Sequence, residues 1–230
     1  MRPMLPTDVA LIIPALNEAA CIGPLLAELP PGEAAEVVVV DNGSTDDTAG
    51  EARRAGARVV QEPRRGYGYA CAAGVAATSA PLVAFMDGDG SFLPAELPRL
   101  VAPLRQGQAD LVVGSRMLGG MAPGSMPLHQ RLGNQFIASI LRRRYGLPIT
   151  DLGPFRAIRR QLLEHLDMQE RTYGWPVEML IKAAQCQARV MELPVTYRPR
   201  LGGHSKVGGH PIGTVRATYR IFQVLARYSQ

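Results

Sequence analysis

EVVVVDNGSTDDTAGEARRAG, residues 36–56, decides the fold. Four valines in a row ending on Asp41 read as a strand apolar on both faces, the pattern of a central parallel strand covered by helices on each side. A Ser/Thr/Asp cluster then starts a helix, and Gly56 stops it. The same unit recurs to either side. VALIIPAL (9–16) is an apolar strand, after which Asn17 caps a helix carrying Ile22, Leu25, Leu26 and Leu29 at helical spacing. ARVVQE (57–62), LVAFMD (82–87) and ADLVVGSR (109–116) are further strands, with helices over 66–79 and 94–105 between them. This alternation predicts a three-layer α/β domain with a mostly parallel central sheet.

Beyond residue 116 the rhythm loosens. LGGMAPGSMP (118–127) is an apolar Gly/Pro loop, and a basic helix over 129–145 ends in RRRYG. After ITDLGPFRAI come a helix over 176–187, the strand-like ARVMELPVTYRPR, a glycine-rich loop at 201–210 and a last amphipathic helix over 211–228. No internal repeat divides the chain, which reads as one domain over 1–210 with the helix of 211–230 as part of it or as a peripheral membrane contact. Ile212, Val215, Tyr219, Phe222 and Leu225 or Ala226 fall along one side of that helix, which suits packing on the body or lying on an anionic membrane.

A chain of 230 residues can bury a full core. Its longest apolar runs are about five residues, against roughly 20 needed to cross a bilayer, and MRPMLPTDVALII lacks the layout of a signal peptide. Cys21, Cys71 and Cys186 fit neither a disulfide framework nor a zinc site, which predicts a cytoplasmic protein. The net charge is +5 and almost all the cations are arginines, whose fork suits phosphate oxygens; compositional bias explains the excess equally well.

In open α/β sheets ligands bind at the carboxyl ends of the strands. Here those ends carry Pro14, Leu16, Asn17 and Glu18, then Asp41, then Asp87 and Asp89, then Arg116. Two carboxylates one residue apart suit Mg2+ or Mn2+, although a bare Asp-Gly-Asp is also a solvated turn. RRGYGYACAAG (64–74) lacks the third glycine of a dinucleotide loop, and Gly66 instead lets a helix N-terminus approach a ligand or the sheet. Arg116 and Arg131 suit phosphate, with a surface ion pair as the other reading of Arg131. Trp175, in Tyr173-Gly174-Trp175, is an aromatic lip or a core residue.

Taken in order, VALIIPALNEAACI, VVVVDNGSTDDTA, GYGYACAAG, LVAFMDGDGSF and LVVGSR resemble the family-2 glycosyltransferases of the GT-A fold. TDLGPFRAI and RPRLGGHSK are similar to the branch that holds the dolichyl- and polyprenyl-phosphate mannosyl- and glucosyltransferases. The resemblance implies a nucleotide-diphosphate sugar donor (UDP or GDP), a divalent cation, Mg2+ or Mn2+, and inversion at the anomeric carbon. It places Pro14, Leu16, Asn17 and Glu18 beside the nucleotide, Asp41 on the base or ribose, and Asp87 and Asp89 on the metal. Ser91 stands where the branch often has a glutamine. Asp151 becomes the base or acceptor-orienting carboxylate, so that Asp151→Asn is expected to cripple transfer to a hydroxyl more than to a lipid phosphate. Arg200, Ser205 and Lys206 match a phosphate-facing signature, in a 201–210 loop expected to close over the donor. The implied acceptor is a polyprenyl phosphate met at the cytoplasmic membrane face. Alternatives are a soluble hydroxyl acceptor and, further off, a nucleotidyltransferase, whose basic phosphate loop is replaced here by PALNEAA. No nucleic-acid partner is expected, and a homodimer is left open.

Overall fold

The computed structural model describes residues 8–203 and 211–228, so Ser205, Lys206 and most of the 201–210 loop lie outside the described residues. Seven strands form one sheet: β1 (Val9–Ala15), β2 (Glu36–Asp41), β3 (Arg58–Gln61), β4 (Leu82–Phe85), β5 (Leu111–Ser115), β6 (Arg156–Arg159) and β7 (Val190–Pro194). The helices are α1 (Ala19–Ala27), α2 (Thr48–Arg54), α3 (Tyr67–Ala76), α4 (Leu97–Arg105), α5 (Leu128–Tyr145), α6 (Arg160–His165), α7 (Trp175–Gln185) and α8 (Pro211–Arg227). The strand order is β3-β2-β1-β4-β6-β5-β7. All neighbours are parallel except β6, which runs antiparallel to both β4 and β5.

Residues 9–13 of β1 are fully buried because both sides of the sheet are covered. The two-residue period of a strand sorts them. Val9, Leu11 and Ile13 join the core with Ile22 and Leu25 of α1 and Leu97 and Leu100 of α4. Ile12 faces the other core, with Cys71 of α3, Leu141 of α5, Leu180 of α7 and Val224 of α8. Three layers follow from that division, as the alternation predicted.

Close approach of α3 to the sheet depends on Gly74, where a Cβ would lie 2.4 Å from Ile12 Cγ2 and 3.1 Å from Val40 Cγ2. Both neighbours are packed at the sheet centre, so neither has free space to retreat into. Gly74→Val is expected to lower stability by about 1–3 kcal/mol, read as a shift of the urea midpoint at unchanged m-value.

Two elements depart from expectation. β6 and α6 come from RAIR and RQLLEH, too short and too arginine-rich to register as an apolar run. Burial at Arg156 makes the strand work: its guanidinium donates to the carbonyls of Leu152, Gly153 and Pro176, with no carboxylate among these partners. Burial also brings its pKa down to about 10, still leaving the group charged at neutral pH. The expected apolar stripe of α8 divides between the body and the outside. Val224 and Leu225 are buried against the body, whereas Tyr219 and Phe222 point outward.

Candidate active site

A cleft of about 820 Å³ opens at the carboxyl edge of the sheet, where connections leave β1 toward β2 on one side and β4 lies on the other. Pro14 helps to open it. β1 pairs with β4 only from Val9 to Ile12, so the missing N–H of Pro14 costs no ladder bond on that side, and the strands part there. Pro14, Leu16, Glu18, Gly66, Asp87, Asp89, Arg116 and Arg200, all expected in the site, line this one cleft.

Asn17 and Asp41 stand behind the wall as scaffolding. Asn17 sits at φ 52°, a left-handed conformation that Asn tolerates. Its N–H donates to Ser44 Oγ at 2.9 Å and its Oδ1 accepts from the Thr45 N–H at 2.7 Å, tying the turn after β1 to the turn after β2. Asp41 Oδ1 accepts from the Ser44 N–H at 2.9 Å and closes that second turn. The cleft residue there is Asn42. Its side-chain amide donates to the carbonyls of Glu62 and Arg64 and accepts from the Gly66 N–H, fixing the 62–66 segment over the end of β2. Gly66 (φ +153°) could carry no Cβ, which would fall 2.4 Å from the Arg171 carbonyl oxygen.

Asp87 and Asp89 follow β4. Ser91 donates to Asp89 Oδ1 through both its N–H (3.0 Å) and its hydroxyl (2.6 Å), so the residue in the glutamine position orients the second carboxylate. Arg200 donates to Glu18 at 2.6 Å and lies 4.0 Å from Asp89. Burial, and then the neighbouring Asp89 charge, push the Asp87 carboxyl up to about 7 despite the opposing pull of Arg116. Two carboxylates crowded in this way fit a divalent cation, which replaces their mutual repulsion with attraction. Among the described residues no group of three or more His, Cys, Asp or Glu is arranged to hold a metal ion. A cation here would be completed by oxygens of a bound diphosphate.

Asp151 is fully buried behind Arg116. Its Oδ2 accepts from the Arg116 N–H (2.7 Å) and Nε (2.8 Å), and its Oδ1 from Nη2 (2.7 Å) and the Gly153 N–H (3.2 Å). Burial alone would push this carboxyl up; the Arg116 hydrogen bonds and charge prevail and hold it below the usual carboxylate range. Glu192 fixes the same corner, accepting from the N–H groups of Thr150 and Asp151. Arg116 also lies over the Tyr197 ring at 5.2 Å. Of the two roles expected of Asp151, base or acceptor-orienting carboxylate, this geometry suits the second: three of its four hydrogen bonds come from Arg116, which it holds at the cleft.

At two further positions the structure sets aside the ligand-facing reading, placing neither residue on the cleft. Trp175 is 3% exposed and belongs to the core with Val177 and Leu180; Tyr173 is the ring on the cleft. Arg131 is exposed on α5 outside the cleft, where Gln130 and Asn134 turn inward instead. The far wall is apolar, built by Phe136 and Ile137 of α5, Val177 of α7, and Ile221 and Phe222 of α8. Asn134 sits among them with its Oδ1 bound to the Leu152 N–H at 3.1 Å and its buried Nδ2 without a hydrogen-bond partner. The sequence reading missed this wall. Its visible trace was Phe222 in the apolar stripe of the last helix.

Residues 10–167 match the model of Glycosyl transferase family 2. An uncharacterized glycosyltransferase of Mycobacterium tuberculosis H37Rv is 44% identical over 218 residues, which span 95% of this chain and 98% of that one. A dolichyl-phosphate hexose transferase of Haloferax volcanii is 35% identical over 198 residues, 85% of each. Among solved structures, glucosyl-3-phosphoglycerate synthase from M. tuberculosis in complex with Mn2+, UDP-glucose and phosphoglyceric acid superposes with a TM-score of 0.78 at 26% identity, covering 96% of this chain and 79% of that one.

Proposed function

The chain belongs to glycosyl transferase family 2, and on that premise we propose that it is a metal-dependent, inverting hexosyltransferase that moves a sugar from a nucleoside-diphosphate donor to a polyprenyl phosphate. The observation that carries the acceptor half is the gradient across one cleft. Asp87, Asp89, Arg116 and Arg200 stand at one end, and Phe136, Ile137, Val177, Ile221 and Phe222 at the other. A phosphate on an isoprenoid chain has the same gradient. The likeness to a dolichyl-phosphate hexose transferase supports this assignment.

Asp87 and Asp89 would hold Mg2+ or Mn2+, which supplies charge neutralisation to the departing diphosphate. Arg200, held at Glu18 beside Asp89, adds a fixed positive charge on the same side. Arg116, locked by Asp151 and Tyr197, offers its charge to the acceptor phosphate. A phosphate monoester is largely ionised at neutral pH and needs cations more than a base. One of its oxygens attacks the anomeric carbon from the face opposite the diphosphate; the new C–O bond forms as the old one breaks, and the leaving oxygen keeps the bonding pair. Burial of Asp151 against Arg116 suits this acceptor better than a hydroxyl, whose proton would need a free base. The second reading, transfer to a small soluble hydroxyl acid, draws on the likeness to glucosyl-3-phosphoglycerate synthase.

Incubation of the protein with UDP- and GDP-hexoses and Mn2+, offering polyprenyl phosphate in detergent micelles and phosphoglycerate in parallel, decides between them. A lipid-extractable hexosyl phosphodiester that needs Mn2+ is the expected product. Transfer to phosphoglycerate alone would reject the lipid reading.

A further inference from the structure

The amino-terminal half of α5 leaves large apolar side chains in water. Leu128, Leu132 and Phe136, one turn apart, are 70%, 57% and 58% exposed. On α8, Tyr219 and Phe222 are 63% and 43% exposed. Phe136 and Phe222 lie 6.5 Å apart between ring centroids, so the two helices present one apolar face rather than scattered residues. Both rings also line the cleft, and the face is therefore continuous with its apolar wall.

The charge carried by these two helices has one sign; the carboxylates packed against α8, Glu170 and Glu178, are buried. No Asp or Glu occurs between Asp110 and Asp151, nor anywhere after Glu192. Arg131 is exposed beside Leu132, Arg143 and Arg144 are exposed at the other end of α5, and Arg227 is exposed on α8. Among the described residues no helix is long and apolar enough to cross a membrane.

We propose that the α5–α8 face docks on an anionic lipid bilayer, with Leu128, Leu132, Phe136, Tyr219 and Phe222 entering the headgroup boundary and the flanking arginines meeting lipid phosphates. Apolar rings and leucines flanked by exposed arginines, on two helices that carry no carboxylate of their own, match such a surface in both polarity and charge. The choice of a bilayer over a second protein rests in part on the lipid-phosphate reading, since docking here brings the cleft mouth to where such an acceptor lies.

Flotation with equimolar phosphatidylcholine–phosphatidylglycerol vesicles that contain no polyprenyl phosphate tests docking by itself. The protein is expected to float with these vesicles, to bind pure phosphatidylcholine more weakly, and to lose affinity as salt rises. The Leu128→Glu/Leu132→Glu variant, changed only at exposed positions outside the cleft, is expected to lose at least about tenfold in partitioning at unchanged melting temperature. Its transfer to a short, water-soluble isoprenyl phosphate should be unchanged, while transfer to long-chain acceptor in vesicles falls. Absence of vesicle binding, or equal binding by the variant, overturns docking. A dimer that the variant dissociates, without flotation of the parent, overturns it too and assigns the face to a second copy. Vesicle binding without any transfer to lipid phosphate leaves docking standing and rejects the acceptor; transfer in micelles without vesicle binding does the reverse.

Discussion

Asp87→Asn and Asp89→Ala are expected to lower Mn2+-dependent transfer by on the order of 10²–10³ while moving stability in opposite directions. Asp89 accepts two hydrogen bonds from Ser91, so its removal costs the loop an anchor. Asp87 is the strained member of the pair. Its carboxyl is raised from 3.8 to about 7 by burial and by Asp89. The sign follows from linkage. The folded state binds more protons than the unfolded one between those two values, so metal-free stability falls as pH rises through this window and levels off above it. Asp87→Asn removes the buried charge. It is expected to raise the melting temperature of the metal-free protein at pH 8, by about 2–4 °C per kcal/mol recovered, and to flatten its dependence between pH 4 and pH 7. Thermal scans in chelator across that range, alongside turnover with saturating Mn2+, check both halves. Lower stability of Asp87→Asn in chelator would mean that the pair is not held in tension.

Asp151→Ala is expected to be the most damaging single change in the acceptor half. It leaves the guanidinium of Arg116, 13% exposed, without its carboxylate. Breaking a buried pair from one side costs about 3–5 kcal/mol. Asp151→Asn keeps the shape and removes the charge, so it separates folding from function. Activity should fall by a similar factor with a hydroxyl or a phosphate acceptor, because the lost element is the placement of Arg116. A proton-accepting Asp151 would make the loss depend on the acceptor. Arg116→Ala combined with Asp151→Asn should cost little more than the worse single variant, as expected for two residues acting as one unit. The stability term has its own pH signature. The Asp151 carboxyl is held below its ordinary value of 3.8, so its contribution is present above that pH and disappears as pH falls further. Urea titrations at pH 7 and pH 3 should therefore show the gap between parent and variant closing in acid.

Most of the donor side was legible before any coordinates because its chemistry sits on strand ends. Asp41, Asp87 and Arg116 each close an apolar run, and a parallel sheet brings such ends to one edge whatever the details between them. Side-chain direction was not legible. Asp41 turns back to cap its own turn while Asn42 faces the cleft, and nothing in DNGS distinguishes the two. The resemblance left Asp151 as a base or an acceptor-orienting carboxylate, and the sequence around it carries no mark of its partner, 35 residues away at Arg116. Trp175 fell to the core because it opens a helix whose Val177, Leu180 and Ile181 are all buried. How the stripe of α8 divides between body and surface was not legible for another reason. Periodicity finds an apolar stripe but cannot tell which of two adjacent stripes meets the body when both are apolar.

β6 runs against its neighbours between β4 and β5, and this single reversal divides the chain as well as the sheet. Everything on the β4 side, from Val9 through Asp89, is a continuous stretch of sequence joined by short local crossovers. During synthesis that stretch leaves the ribosome first and can close its own pairings without waiting for the remainder. The other side is assembled from residues scattered between 111 and 228, each held through distant partners. The Asp87–Asp89 end of the cleft thus rests mainly on the early stretch, with Arg200 joining it from the later one.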